Sequence, residues 1–244
     1  MLANPVIAVM LFIYAAAIPA GTLLLWNLAF RPDLHKAHVT LLGLAISIVT
    51  TLFITDLIKD VVGRPRPDLL ARCKPDLDTP TSELVTIDVC TETDPHTLQD
   101  GWRSFPSGHS SFSFSGLGYL ALFLAAQTHS LRPRASLSVV LLSLAPLLGA
   151  ALIAISRLED YRHDVFDVIC GSLLGFSVAA FNWRRYYPSL LSSTCDEPHA
   201  PPDTRRNSEN GFQRVRDEEE GYSGNVERFS ISEDADGFNG GRPR

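Results

Sequence analysis

Three short stretches of this 244-residue chain carry side chains that could act together on a phosphate. The first is Lys59-x6-Arg66-Pro67, which contains the run Gly63-Arg64-Pro65-Arg66-Pro67. A lysine at the end of an apolar segment ordinarily only snorkels to the surface. Here prolines hold the following backbone extended, so Arg64 and Arg66 cannot wander far from it. Three cations kept together repel one another unless an anion sits between them, and phosphate matches the guanidinium fork. The second stretch is Phe105-Pro106-Ser107-Gly108-His109. Pro and Ser open helices, Gly108 lets a ligand approach the backbone, and free N–H groups at a helix start attract anions. His109 at that place could give a proton to a leaving oxygen. The third is Ser156-Arg157-x5-His163-x3-Asp167. Its His and Asp are four apart, one helical turn, which puts them on one side. A carboxylate bonded to one ring nitrogen fixes the tautomer, leaves the other nitrogen free to attack and stabilises the charge that grows on the ring.

Each stretch alone has a plain reading: an interfacial lysine, a capped helix carrying a histidine, a structural His–Asp pair. Brought to one face they supply cations, a helix N-terminus, an acid and an oriented nucleophile. Those are the parts for phosphoryl transfer in which arginine and lysine neutralise the equatorial oxygens. No zinc-spaced His/Cys/Glu cluster and no Gly-rich Walker loop competes in the sequence, so no metal and no cofactor is expected.

The elements that must position these residues are apolar. A bilayer core about 30 Å thick needs about 20 mostly apolar residues as helix. Five segments qualify: Leu2–Phe30, Val39–Ile58, Phe112–Ala126, Ala135–Ile155 and Val165–Phe181. The third and fifth are short and are expected to extend into the motifs before them. Pro5 and Pro19 in the first are tolerable where neighbours satisfy the freed carbonyls, and a basic region typical of a secretory signal is missing. The expected fold is therefore all-α, a polytopic membrane helix bundle. A large soluble core fails because too little polar sequence remains to cover five such segments. Small residues (Gly116, Gly118, and Gly171-x-x-x-Gly175) suit close helix contacts.

Lys and Arg near the segment ends set the orientation. Arg31 and Lys36, Arg132 and Arg134, and Arg184 and Arg185 fall on one side in an alternating five-span topology, which makes that side cytosolic. The motif face is then lumenal or extracytoplasmic. It is also basic, with Lys59, Arg64, Arg66, Arg72, Lys74, Arg103 and Arg157, and this departure from the positive-inside rule fits an anion site. Cys73 and Cys90 lie on that face, where an oxidising compartment would let them pair and close a loop worth roughly 3 kcal/mol.

The averages conceal this division. A net charge of −6 and 45% hydrophobic residues describe an ordinary soluble protein. Yet Leu2–Phe30 and Val39–Thr55 hold no Asp, Glu, Lys or Arg, while the acids crowd into the C-terminal residues. The chain divides into a membrane-embedded domain, 1–188, and an acidic, disordered cytosolic tail, 189–244. Gly and Cys content excludes collagen-like and disulfide-dense classes, and the acidity gives no reason to expect nucleic acid.

The three motifs together resemble the type 2 phosphatidic acid phosphatase superfamily, which includes lipid phosphate phosphatases, bacterial acid phosphatases and vanadium haloperoxidases. Gly63–Asp68, Val89–Thr93 and Asp160–Asp164 look like its fungal diacylglycerol pyrophosphate phosphatase branch. The resemblance implies a phosphohydrolase acting on diacylglycerol pyrophosphate, phosphatidate and lysophosphatidate in a bilayer, in an endomembrane (vacuole, Golgi or ER) or the plasma membrane. It implies His163 as the nucleophile, Asp167 as its orienting group, and His109 as acid and then base. Lys59, Arg66, Ser107, Gly108 and Arg157 would hold the phosphoryl group, with Arg64 positioning the substrate. Members of this type usually have six spans against the five read here; the missing one would precede the first, so either the reading starts at an internal Met or this is a shortened form. The rivals are a non-catalytic lipid-phosphate-binding scaffold and a sphingoid or polyprenyl phosphate phosphatase; a haloperoxidase is more remote.

Overall fold

A computed structural model describes residues 5–76, 86–133 and 135–200, with side chains from residue 9 onward. Its described residues are helical, without a strand longer than the isolated Pro75–Cys90 bridge. The long helices are α1–α2 (Pro5–Phe12 and Ile18–Phe30, joined by a π-helical turn), α3 (Leu34–Val62), α6 (Gly108–Gln127), α7 (Leu137–Glu159) and α8 (Val165–Tyr186). Two short helices, α4 (Leu69–Cys73) and α5 (Pro95–Gly101), lie between α3 and α6. The five expected apolar segments are helical over nearly all of their described residues; α6 extends back into its motif as expected, whereas α8 starts at Val165 and does not, because Asp164 caps it there.

Four of them, Val9–Phe30, Leu34–Val62, Leu137–Glu159 and Val165–Tyr186, are long and apolar enough to cross a membrane. They leave Leu25, Leu28, Phe53, Leu141, Leu142, Leu148, Leu152, Leu173 and Phe181 exposed. A soluble protein would not leave such a belt open, but lipid covers it at no cost. The protein is an integral membrane helix bundle.

The third expected segment, α6, differs in composition. It is rich in serine and glycine, and fourteen of its twenty residues are buried. It is shielded by α3, α7 and α8, so its polar side chains meet protein rather than lipid. Thr51 Oγ1 donates to Ser115 Oγ at 3.0 Å, and Thr55 and Ser111 share a hydrogen bond of 2.9 Å. Such buried interhelical bonds contribute up to about 1 kcal/mol each.

Glycines let the backbones close. A Cβ on Gly175 would lie 2.0 Å from Ser111 O and one on Gly171 2.6 Å from Ser107 O, so the Gly171-x-x-x-Gly175 face of α8 packs directly on the start of α6. The first span meets α6 by another route. Pro19 has no N–H for Ala15 O, and the helix widens there into the π turn, with Ile18 N bonded to Ile13 O. The freed Ala15 carbonyl rests on Gly116, where a Cβ would sit 1.7 Å away.

The expected boundary at residue 188 falls inside a packed segment. Residues 187–199 fold back on the far end of the bundle. Tyr187 and Cys195 are fully buried, and His199 N donates to Tyr186 O at 2.8 Å. The correction has a physical cause: Tyr187 stacks on Trp183, ring centroids 4.0 Å apart, which anchors a stretch whose composition alone reads as tail. The expectation of disorder for the remaining tail, residues 201–244, lies outside the described residues.

Candidate active site

The end of α3, the segment joining it to α6, and the turn between α7 and α8 meet at one end of the bundle. Each motif is delivered by a local device. Lys59 occupies the last turn of α3, which ends at Gly63 in the left-handed conformation (φ 58°) that glycine accepts without penalty. Beyond it Arg66 N bonds Gly101 O at 2.8 Å and Ser104 N bonds Arg64 O at 3.0 Å, so the Arg-Pro run is pinned to the stretch before α6. Cys73 and Cys90 are disulfide-bonded, with Cα atoms 4.6 Å apart, beneath this cap. Ser107 caps α6, accepting from Ser110 N, and its own N–H bonds Asp167 O at 2.9 Å. That last bond joins the second motif to the third.

His163 and Asp167 do not ride one helical turn, as their spacing suggested. His163 precedes the N-cap Asp164, and α8 starts at Val165. A capping box brings the two together: Asp164 accepts from Val165 N at 2.7 Å, while Asp167 Oδ2 accepts from Asp164 N at 3.1 Å. Asp167 therefore both caps the helix and faces the imidazole, His163 Nδ1 lying 3.7 Å from its Oδ2. The closer partner is Ser104, whose buried hydroxyl donates to Asp167 Oδ2 at 2.5 Å and stands 3.4 Å from His163 Nδ1. Sequence reading missed Ser104, since a serine three residues ahead of Ser107 carries no spacing signal.

The arginines are less alone than their charges suggested. Arg64 bonds Asp167 Oδ1 at 2.7 Å and Asp164 Oδ2 at 2.8 Å, so it holds the orienting carboxylate. Arg66 bonds Asp100 Oδ1 at 2.7 Å, and Arg72 takes the other oxygen of Asp100 at 2.9 Å. Asp100 was also missed: it lies 34 residues from Arg66, and only the folded chain shows the pairing. Arg157 bonds Asp160 at 3.0 Å and Ser156 Oγ.

Arg66 Nε and His109 Nε2 are buried without a hydrogen-bond partner. Lys59 Nζ would lie 3.4 Å from a Cβ on Gly108, beside the open first turn of α6. The charged or chargeable groups acting most strongly on His109 are Arg157, His163, Lys59 and Arg66. Burial holds the His163 ring below the usual histidine range despite its Asp167 partner, with Arg66 and Lys59 pushing the same way; burial likewise lowers Arg66, against the pull of Asp100. The ring is therefore a neutral base at neutral pH, its Nδ1 turned to Ser104 and Asp167 and its Nε2 directed away from them. Such a site can hold an oxyanion among cations and attack it.

The chain is similar to known proteins. The profile of the PAP2 superfamily matches residues 40–189. The chain is 44% identical over 185 residues to diacylglycerol pyrophosphate phosphatase 1 of Saccharomyces cerevisiae, covering 74% of this chain and 64% of that one. It is 46% identical over 158 residues to a probable diacylglycerol pyrophosphate phosphatase 1 of Schizosaccharomyces pombe (64% and 57%). To lipid phosphate phosphatase 2 of Arabidopsis thaliana it is 39% identical over 170 residues (70% and 58%). The chain thus spans less than two thirds of the length of these relatives. No solved structure matches it.

Proposed function

The chain belongs to the PAP2 superfamily, and from that membership we propose that it is a lipid phosphate phosphohydrolase acting on diacylglycerol pyrophosphate and phosphatidate through a phosphohistidine. The observation that carries this reading is the buried, unpartnered His109 Nε2 set among Lys59, Arg66, Arg157 and His163. A structural histidine would have a partner there. A phosphoryl group supplies one, and its negative charge lets His109 carry a proton beside three cations.

In the proposed reaction His163 Nε2 attacks phosphorus while Lys59, Arg66, Arg157, Ser107 and the Gly108 N–H hold the equatorial oxygens. His109 protonates the departing alkoxide or phosphate. Asp167, with Ser104 between, stabilises the positive ring. His109 then takes a proton from water, which attacks the phosphohistidine, releases phosphate and restores both histidines. The site lies at the end of a lipid-covered bundle, which suits a ligand whose phosphate is wet and whose acyl tails remain in the bilayer. The loop charges support a lumenal or extracytoplasmic site in an endomembrane or the plasma membrane, with the opposite end in the cytosol.

The test is phosphate release by the detergent-purified chain from diacylglycerol pyrophosphate, phosphatidate, a sphingoid-base phosphate and a polyprenyl diphosphate, with and without EDTA. The reading expects release from the first two, undiminished by EDTA and lost in His163→Ala. No release from any lipid, or full release by His163→Ala, overturns it.

A further inference from the structure

At the opposite end of the bundle three side chains of different donor type converge without any part in phosphate chemistry. His129 follows α6 in the left-handed conformation (φ 50°), and Cys195 and Asp196 lie on the segment that folds back after α8. His129 Nδ1 is 3.1 Å from Cys195 Sγ, and its Nε2 is 3.7 Å from Asp196 Oδ1. One donor atom from each of the three lies within 4.8 Å of the other two. Cys195 is fully buried, and its thiol also donates to Ala126 O at 3.5 Å.

The backbone that presents them is fixed independently. Gln127 Nε2 donates to Asp196 O at 3.1 Å and Arg132 Nη2 to Ser192 O at 3.0 Å. Lys36 pairs with Glu197 at 3.1 Å, and His35 meets His199 O at the same distance. The donors are therefore held in place before any ion arrives. An imidazole nitrogen, a thiolate sulfur and a carboxylate oxygen are the ligand types zinc accepts, with a water completing the tetrahedron. Thiolate and carboxylate together would balance the ion's two charges at a place where Cys195 is buried and His129 and Asp196 are partly exposed.

We propose that His129, Cys195 and Asp196 bind a zinc ion that clips the end of α6 to the segment following α8. On binding, the Cys195 S–H bond breaks, an S–Zn bond forms, and the proton leaves to solvent. One ring nitrogen of His129 ligates. The site is separate from the phosphate site and does not depend on the reading given to it.

Cobalt(II) tests this directly, because a thiolate ligand gives cobalt a near-ultraviolet charge-transfer band. The full chain, purified in detergent and stripped with a chelator, is titrated with cobalt and then with zinc. The free cysteines among the described residues are Cys170 and Cys195, so each is replaced in turn. The proposal expects a band that saturates at one cobalt per chain and is displaced by zinc. It should persist in Cys170→Ser and be lost in Cys195→Ser, and His129→Ala should weaken cobalt binding by more than about tenfold. A helical circular-dichroism spectrum and a thermal transition of Cys195→Ser matching those of the parent report that the variant is folded. A wild-type chain with no band overturns the proposal without any variant, and so does a band that survives Cys195→Ser.

Discussion

The two ends of the bundle bury polar groups on opposite terms. At the site end Lys59, Arg66, Arg157 and two histidines crowd together, and the carboxylates present are committed to holding the frame: Asp167 to Arg64, Asp100 to Arg66 and Arg72. At the far end Leu23, Val39, Phe123, Trp183 and Tyr187 form an apolar cluster, where Thr40 bonds the Tyr187 hydroxyl at 2.6 Å. Both ends leave buried polar atoms unpaired: Tyr119 Oη and Trp183 Nε1 at the far end, Arg66 Nε and His109 Nε2 at the site. The far pair are isolated neutral groups whose cost is desolvation alone, about 1–3 kcal/mol each. Those at the site sit beside like charges that a bound anion would relieve, on the proposed reading. Asp68 Oδ1 is also unpaired at the site end, so the contrast is that most of its orphaned groups belong to side chains that carry or can carry positive charge.

This contrast can be broken from the site side first. His163→Ala should lower kcat by about 10⁴-fold or more, as loss of a nucleophile does, while leaving the melting temperature near that of the parent. Arg66→Ala removes a donor to the phosphoryl oxygens and should lower kcat about 10²–10³-fold. Its neighbour Arg64 touches Asp164 and Asp167, so Arg64→Ala should lower kcat about tenfold and leave KM nearly unchanged, by loosening the orienting carboxylate. A rise in KM alone would return Arg64 to substrate positioning, the role its sequence context suggested.

The pH profile sharpens the same contrast. His163 must be neutral to attack, and burial holds its pKa below the ordinary value near 6.5. Activity is therefore kept as pH falls through 6.5 and is lost only below it, so the acid limb of kcat/KM should lie under 6.5. A limb above that value would mean that Asp167 outweighs burial. The smallest effect belongs to the far end. Tyr187→Phe deletes one buried hydrogen bond and should cost about 1 kcal/mol of stability with kcat unchanged.

Much of this arrangement was readable before the fold was known, and the reasons differ by region. Apolar runs marked the helices because lipid imposes a long, uniform requirement. The residues proposed to grip phosphate were visible because they cluster within short motifs. Residues that serve through distant partners were not. Asp100 and Ser104 carry no local pattern, since their partners lie on other segments. The His163–Asp167 proximity was anticipated for the wrong reason: helical register suggested it, and a capping box with Asp164 at its head supplies it. Residues 189–199 read as tail because no periodicity announces a segment held by Tyr187, Cys195 and scattered backbone bonds.

The central claim is that His163 takes the phosphoryl group onto itself. Brief mixing of the His109→Ala chain with diacylglycerol pyrophosphate labelled in its terminal phosphate, followed by alkaline denaturation, tests it most directly. Attack without prompt hydrolysis should leave label on the protein that is stable in base and lost in acid, and absent when His163 is also replaced. Label that persists without His163, or turnover by the parent chain with no labelled protein at any time, would contradict the account.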